Sequence, residues 1–404
     1  MTHPLPYEDG ISEDVYHNLF VRVGLDESLQ QSFFKKRCES LSAKDAFAYD
    51  SSTISVYSEN QNDARFGFNK AHDGLKTIKL LTLYSIDSRQ PIAFTKQPGN
   101  LPDVISVTNA INQLRALGVN TTEIVTDNGY YSEQNLSELL QAGFDFITPA
   151  KTSLKFRKYS SHKNGAEKGS EEAFKRRIYL HIYFNKSRQT DDKTALEDDL
   201  YELKTLLESG TAIDDLSPAA KEKANKYFTV KRWGGKITAT ANNKAIKDAN
   251  KYLGYFALVS NKEKDPFECL RKYRKRETIE SFFEAEKQHA DGTRARVWYT
   301  DTLRGRMFVQ FISLCYYEYF SEEIRKLKVV LDSEINSGGL KSEALKTTKK
   351  LKTWVNNTPL YLQLQWFDTV EQVELSTKLR NRRWNTEVTS CDALYLEKIG
   401  LYRE

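Results

Sequence analysis

The chain has 404 residues, 39% of them hydrophobic and 28% charged, with a formal net charge of +5. This suits a globular protein with a polar surface and room for two or three substructures. No apolar run approaches twenty residues, which excludes a membrane-spanning helix. The mild basicity is compatible with a polyanionic partner without establishing one.

The first residues, MTHPLPYEDG, lack the basic-then-apolar pattern of a secretory signal, so a soluble cytoplasmic protein with no membrane partner is expected. Four scattered cysteines (Cys38, Cys269, Cys315, Cys391) form no CxxC pair. They read as structural thiols in a reducing compartment and argue against a thiolate zinc site.

Residues 11–45 read as helical, with Asp26 suited to an N-cap. Three β-branched and aromatic runs follow, FAYDSSTISV (47–56), TIKLLTLYSI (77–86) and PIAFTK (91–96). The turn composition DSRQ joins the last two as an antiparallel hairpin. Val104, Val107, Ile111, Leu114 and Leu117 repeat at helical spacing up to Gly118. EIVTD (123–127) is a strand, and SEQNLSELLQAG is a helix capped by Ser132 and ended by Gly143. FDFITPA is a fifth strand.

The order β-β-β-α-β-α-β, with right-handed crossovers, predicts one mixed five-stranded α/β sheet flanked by helices, the order of the ribonuclease H-like fold. Residues 151–265 break that rhythm and read as an inserted, mostly β subdomain. RRIYLHIYF, KYFTVKRW, KITATA and YFALVS are its strands, and TALEDDLYELKTLLESG is a helix. Two strongly helical segments, 267–290 and 301–328, precede a less regular tail. The expected domains are therefore a helical segment 1–45, a core in two parts (46–150 and 266–328), the insertion 151–265, and a C-terminal region 329–404.

Asp50 lies mid-strand, where a carboxylate is costly to bury unless paired or metal-bound. Alternation could equally turn it to solvent. Asp127 stands at the C-terminal end of its strand, the end where ligands bind in open α/β sheets, although an Asp before Asn128-Gly129 could simply cap a turn. In the predicted sheet order the two strands are neighbours, so the two carboxylates face each other. Such a pair repels unless a cation lies between, and hard oxygen donors suit Mg²⁺ or Mn²⁺. YRKRETIESFFEAEK (273–287) contains no Pro or Gly and reads as one helix. Its Glu277, Glu280, Glu284 and Lys287 share a stripe that could supply a third carboxylate, and Ile279, Phe282 and Phe283 anchor it. A solvated, ion-paired helix face is the competing reading.

Tyr273, Arg276, Glu280 and Lys287 fit Y-(2)-R-(3)-E-(6)-K and resemble the signature of bacterial insertion-sequence transposases of the DDE type. AYDSSTIS resembles the first-Asp strand of that family, VTDNGYYSEQNL its second-Asp segment, and QPGNLPD the P-G-N-x-x-D after its third strand. FGFNKAHDGLKTIKLLTL and GYFALVSN look like its second-strand lead-in and the strand closing its insertion. The resemblance spans residues 45–320. It implies that Asp50, Asp127 and Glu280 are the catalytic, metal-binding triad for two Mg²⁺, with Mn²⁺ able to substitute. It also implies that Tyr273, Arg276 and Lys287 contact transposon-end phosphates.

The implied activity is metal-dependent cleavage at transposon ends and transfer of the 3′-hydroxyl into target DNA. A homodimer on paired terminal inverted repeats, located at the prokaryotic nucleoid, goes with it. In relatives the insertion helps hold DNA, and Trp233 in KRWGGK could stack on a base there or be structural. KFRKYSSHK, LRKYRKR and TRARVWY mix basic and aromatic residues as DNA contacts do. Only about 46 residues precede the first-Asp strand, fewer than the end-recognising region usual in the family. That keeps two alternatives in view, a nuclease that cuts without joining and a non-catalytic, truncated inhibitor.

Overall fold

The computed structural model describes residues 12–40, 45–67, 69, 73–150, 178–233, 236–289, 294–295, 297–370, 372–376, 381–385 and 388–401. The chain divides into two compact units, residues 1–145 with 271–404, and residues 146–270.

The first unit opens with α1 (Glu13–Leu25) and α2 (Glu27–Glu39). The Asp26 carboxylate accepts the Leu29 N–H at 2.9 Å, the expected N-cap. Strands β1 (Phe47–Val56), β2 (Lys76–Ser85) and β3 (Gln90–Pro98) form an antiparallel meander. Arg89, at φ 53°, turns the chain between β2 and β3. Next come α3 (Ser106–Ala116), β4 (Glu123–Thr126) and α4 (Glu133–Ala142). Ser132 caps α4, and Gly143, at φ 85°, ends it in the left-handed conformation that glycine adopts without a Cβ clash. β4 lies parallel to β1, as a crossover through a helix requires. The sheet order is thus β3-β2-β1-β4, with β1 central, and the architecture is mixed α/β.

Strand β5 (Asp145–Pro149) leads into the second unit, where β6 (Tyr179–Phe184) and β5 both pair antiparallel with β9 (Tyr255–Ser260). Helix α5 (Lys186–Glu208) packs Leu200, Leu203 and Leu207 against α6 (Pro218–Tyr227), the β7 (Phe228–Trp233) and β8 (Lys236–Ala241) hairpin and α7 (Asn243–Asn250). The expectation of a mostly β insertion needs correction among the described residues. Helices of 23, 10 and 8 residues stand there beside four six-residue strands. The unit's own core is built on the apolar stripe of α5, the helix read in TALEDDLYELKTLLESG, with α6 and α7 packed on it.

Helix α8 (Pro266–Lys275) returns the chain to the first unit, followed by α9 (Glu277–His289), the short β10 (Arg294–Ala295) and the 37-residue α10 (Thr300–Asn336). β10 pairs parallel with the end of β1, an addition to the predicted sheet. α10 buries Met307, Phe308, Phe311 and Leu314. Phe34 of α2 and Phe94 of β3 meet Phe311 edge-on or tilted at 5.6 and 5.2 Å. α1 lies close on α10 at two glycines. A Cβ at Gly24 would fall 1.9 Å from the Asp301 carbonyl oxygen, and one at Gly305 would fall 1.8 Å from that of Phe20.

The tail is more regular than its composition suggests, with α11 (Ser342–Asn357), α12 (Leu360–Trp366), the β11 (Gln372–Ser376) and β12 (Asn381–Asn385) hairpin, and α13 (Ser390–Lys398). Leu327, Leu331, Leu351, Val355 and Tyr395 form its separate core, with Trp354 and Trp366 packed on it. All four cysteines are buried free thiols. No helix among the described residues is long and apolar enough to cross a membrane.

Candidate active site

Strand β1 carries its first three residues into the core and turns partly outward at Asp50 and Ser51. The ladder pairs Tyr49 with Thr126, the last residue of β4. Asp50 and Asp127 are each one step further along parallel neighbours, so they emerge side by side, as the sheet order requires. Two buried tyrosines fix this placement. Tyr49, beside Asp50, meets Tyr130 edge-on at 5.7 Å, and the Asn135 side chain donates to the Tyr130 carbonyl at 2.6 Å. The sequence DNGY thereby forms a short 3₁₀ turn that holds Asp127 at the strand end.

The stretch 273–287 is not one helix. It breaks at Arg276, between α8 and α9. Arg276 N–H donates to the Tyr273 carbonyl at 3.1 Å, and Ile279 N–H to the Arg276 carbonyl at 2.9 Å. These i→i+3 bonds are the tight kind that replace α-helical ones at a junction. The break goes with tertiary attraction, because the Arg276 side chain, 8% exposed, is drawn to Asp50 and Asp127 on the sheet as well as to Glu280 one turn on. Its Nη1 is 3.2 Å from Asp50 Oδ2, and its Nη2 is 2.7 Å from Glu280 Oε1 and 3.8 Å from Asp127 Oδ1.

Burial alone would lower the Arg276 pKa. The surrounding Asp127, Tyr273, Asp50 and Glu280 outweigh it and hold the guanidinium above its ordinary value. Its Nε is buried without a hydrogen-bond partner among the described residues. The guanidinium lies 5.6 Å from the Tyr273 ring centroid. Burial raises the Tyr273 hydroxyl pKa; Asp127 and Glu280 add to that shift and Arg276 opposes it.

The expected residues therefore converge, with Asp50, Asp127 and Glu280 from three separate chain segments around one cation. They open onto a cleft of about 580 Å³ that Glu284 and Lys287 also line. Ile279, Phe282 and Phe283 anchor the inner face of α9. Trp233 sits in the second unit, 90% exposed, where β7 pairs Trp233 with Lys236 of β8.

Sequence reasoning missed a second charged pair in the cleft. Asp103 Oδ1 accepts from Lys79 Nζ at 2.7 Å and from Ser51 Oγ at 3.1 Å. Lys79 is buried in β2. A lysine in the middle of TIKLLTL was the available signal, because a buried ammonium requires an acid partner. QPGNLPD supplies that acid directly after the turn.

Among the described residues, no group of three or more histidine, cysteine, aspartate or glutamate side chains stands at metal-holding distance. Arg276 takes the central position instead. In donor chemistry the residues fit a hard divalent cation, since three carboxylates already gather around one positive charge.

Residues 41–316 match the family model described as Transposase DDE domain. No curated protein matches the chain. Among solved structures, a cryo-EM structure of the piggyBac transposase synaptic complex with hairpin DNA is similar, with a TM-score of 0.40 and 9% identity. The match covers 88% of this chain and 62% of that one, so the chain spans under two thirds of that protein's length.

Proposed function

The chain belongs to the transposase DDE-domain family, and on that footing we propose that it cleaves DNA at transposon ends and joins the freed 3′-hydroxyl to target DNA. The observation that carries this reading is the convergence of Asp50, Asp127 and Glu280 on the Arg276 guanidinium. In this reading the core is ribonuclease H-like, made of residues 46–150 and 266–328, and 151–265 is an insertion. The enzyme is of the bacterial insertion-sequence type with the Y-R-E-K signature. It acts in the cytoplasm as a homodimer on paired ends, with 329–404 in dimerisation.

Asp50, Asp127 and Glu280 would hold Mg²⁺ or Mn²⁺. When bound, a pair of such ions activates the attacking oxygen and neutralises the leaving one. The chain's own residues position the strand. Arg276 supplies the fixed positive charge beside the acids toward which a strand phosphate is drawn. Lys287 adds a point charge along the cleft, and the Tyr273 ring lies beside the guanidinium. Asp103, held by Lys79, fixes the Ser51 hydroxyl and with it the strand residue next to Asp50. Trp233 is assigned to base stacking by the insertion.

The test is incubation with Mg²⁺ or Mn²⁺ and a labelled oligonucleotide carrying the element's terminal repeat. Strand-transfer product supports the transposase. Cleavage without joining makes the protein a nuclease, and binding without either makes it an inhibitor.

A further inference from the structure

At the far end of β1, two loops build a second cleft, of about 370 Å³, lined by Tyr57, Ser58, Arg294, Ala295, Val297 and Trp298. It is an ordered construction. Ser58 Oγ donates to the Trp298 carbonyl at 2.9 Å, and Gln61 Nε2 to the Val297 carbonyl at 3.1 Å. These bonds lock the 57–61 loop to the start of α10, yet the aromatic side chains face outward. Tyr57 is 54% exposed and Trp298 68%.

Large exposed aromatics clustered in one place mark a binding surface rather than a core. Tyr57 in the cleft, and Phe66 on the neighbouring strand end, each have a cation beside the ring. The Arg294 guanidinium lies 5.6 Å from the Tyr57 ring centroid. Lys76, paired with Val56 on the other side of the same strand end, lies 5.8 Å from the ring of the exposed Phe66. π-faces next to fixed positive charge are what an unstacked base and its phosphate require.

We propose that this cleft binds an unpaired nucleotide of a DNA strand, its base against Tyr57 and Trp298 and its phosphate at Arg294. The proposal rests on the DNA-processing reading for the identity of the strand. Tyr57 follows Asp50 by seven residues, so at about 3.3 Å per residue the cleft lies roughly 23 Å along the strand from the acids. Asp73 lies within electrostatic reach of Arg294 and offsets part of its charge. Most of the affinity is therefore assigned to stacking, and the aromatic variants are the more sensitive test.

The experiment uses the full chain in EDTA and a short single-stranded oligothymidylate carrying one 2-aminopurine. Binding is read by anisotropy and stacking by 2-aminopurine quenching. Trp298→Ala weakens binding roughly tenfold and removes the quenching. Tyr57→Phe retains both, and Tyr57→Ala loses most of both. A blunt duplex binds wild type and Trp298→Ala alike. Equal losses on duplex and single strand, unchanged binding by Trp298→Ala, or a change in oligomeric state on that substitution each overturn the proposal.

The two readings fail separately. If wild type binds but never cleaves a terminal-repeat substrate, the proposed function falls and the nucleotide cleft stands. If it cleaves while Trp298→Ala binds normally, only the cleft falls.

Discussion

Helix α9 lines two cavities that both hold acids and that treat those acids in opposite ways. On one side, Asp50, Asp127 and Glu280 surround the Arg276 guanidinium. On the other, a cavity of about 400 Å³ is lined by Tyr84, Arg89, Ser281, Tyr317, Glu318 and Arg325, with Glu284 and Gln288 facing both. Glu318 is buried, its carboxylate accepts the Tyr84 hydroxyl at 3.0 Å, and burial pushes its pKa up to about 7. Glu286, also buried on α9, is pushed by burial to about 8 against the opposing charge of Lys287. Acid content alone therefore does not make a cation site. A carboxylate buried without a close cation is driven toward its neutral form, whereas the cleft acids gather around a fixed positive charge.

Removing a cleft acid is the harshest test of that difference. Asp50→Asn and Glu280→Gln should each lower cleavage of a terminal-repeat oligonucleotide in Mg²⁺ by about a thousandfold or more, the several kcal/mol that metal-assisted charge stabilisation supplies. Unfolding midpoints should barely move, because losing one of three clustered acids relieves repulsion as it removes an ion pair. Unchanged cleavage by either variant would remove these residues from the chemistry.

The opposite behaviour is expected of Glu286, buried on α9 against Ser52 of β1. The folded-state pKa of Glu286 lies above its ordinary 4.5, so between about 4.5 and 8 the folded chain holds a proton that the unfolded chain has released. Its contribution to stability is complete below 4.5 and is lost as pH rises through 8, by up to a few kcal/mol. Glu286→Gln should flatten that decline in urea titrations between pH 5 and 8, and Asp50→Asn should not. Parallel slopes for wild type and Glu286→Gln would show that this carboxyl titrates normally.

Arg276 tests the comparison from the cation's side. Arg276→Ala should destabilise the metal-free protein by about 1–2 kcal/mol, because Asp127 and Glu280 are half exposed and water rehydrates them. Added Mg²⁺ should then raise the melting temperature more in the variant than in wild type, since the ion replaces the lost charge. An equal shift in both would mean that guanidinium and metal do not compete for the acids.

The break at Arg276 also marks where the sequence stops being readable. Strands β1 to β4 and the caps at Asp26, Ser132 and Gly143 follow from alternation and local hydrogen bonding, which neighbouring residues specify. The pairing of Asp50 with Asp127 follows from crossover handedness. Nothing local breaks a helix through YRKRETIE, which lacks Pro and Gly. The junction goes with two acids from elsewhere in the chain, Asp50 and Asp127, that attract the Arg276 guanidinium. β10 was hidden for a related reason, as two residues carry no periodicity. α5 was legible as a helix, but its unit was judged by the alternating runs around it.

Lys79 and Asp103 provide the mildest test, on a pair whose charges are matched inside the same cleft. Lys79 is buried and Asp103 is about one third exposed, so the pair combines a desolvated ammonium with a carboxylate that water still reaches. Lys79→Met replaces the ammonium with an apolar side chain of similar length, ends its desolvation cost and leaves an acid that solvent can accommodate. The net change in stability should stay within about 1 kcal/mol. Cleavage should fall more than stability, because Ser51 Oγ then donates to a carboxylate that nothing holds in place. Asp103→Asn should reproduce the fall in cleavage while keeping an acceptor for Ser51, with a larger loss of stability from the stranded Lys79. A Lys79→Met protein that cleaves normally would reduce the pair to a structural ion pair and leave the three acids around Arg276 as the whole of the chemistry.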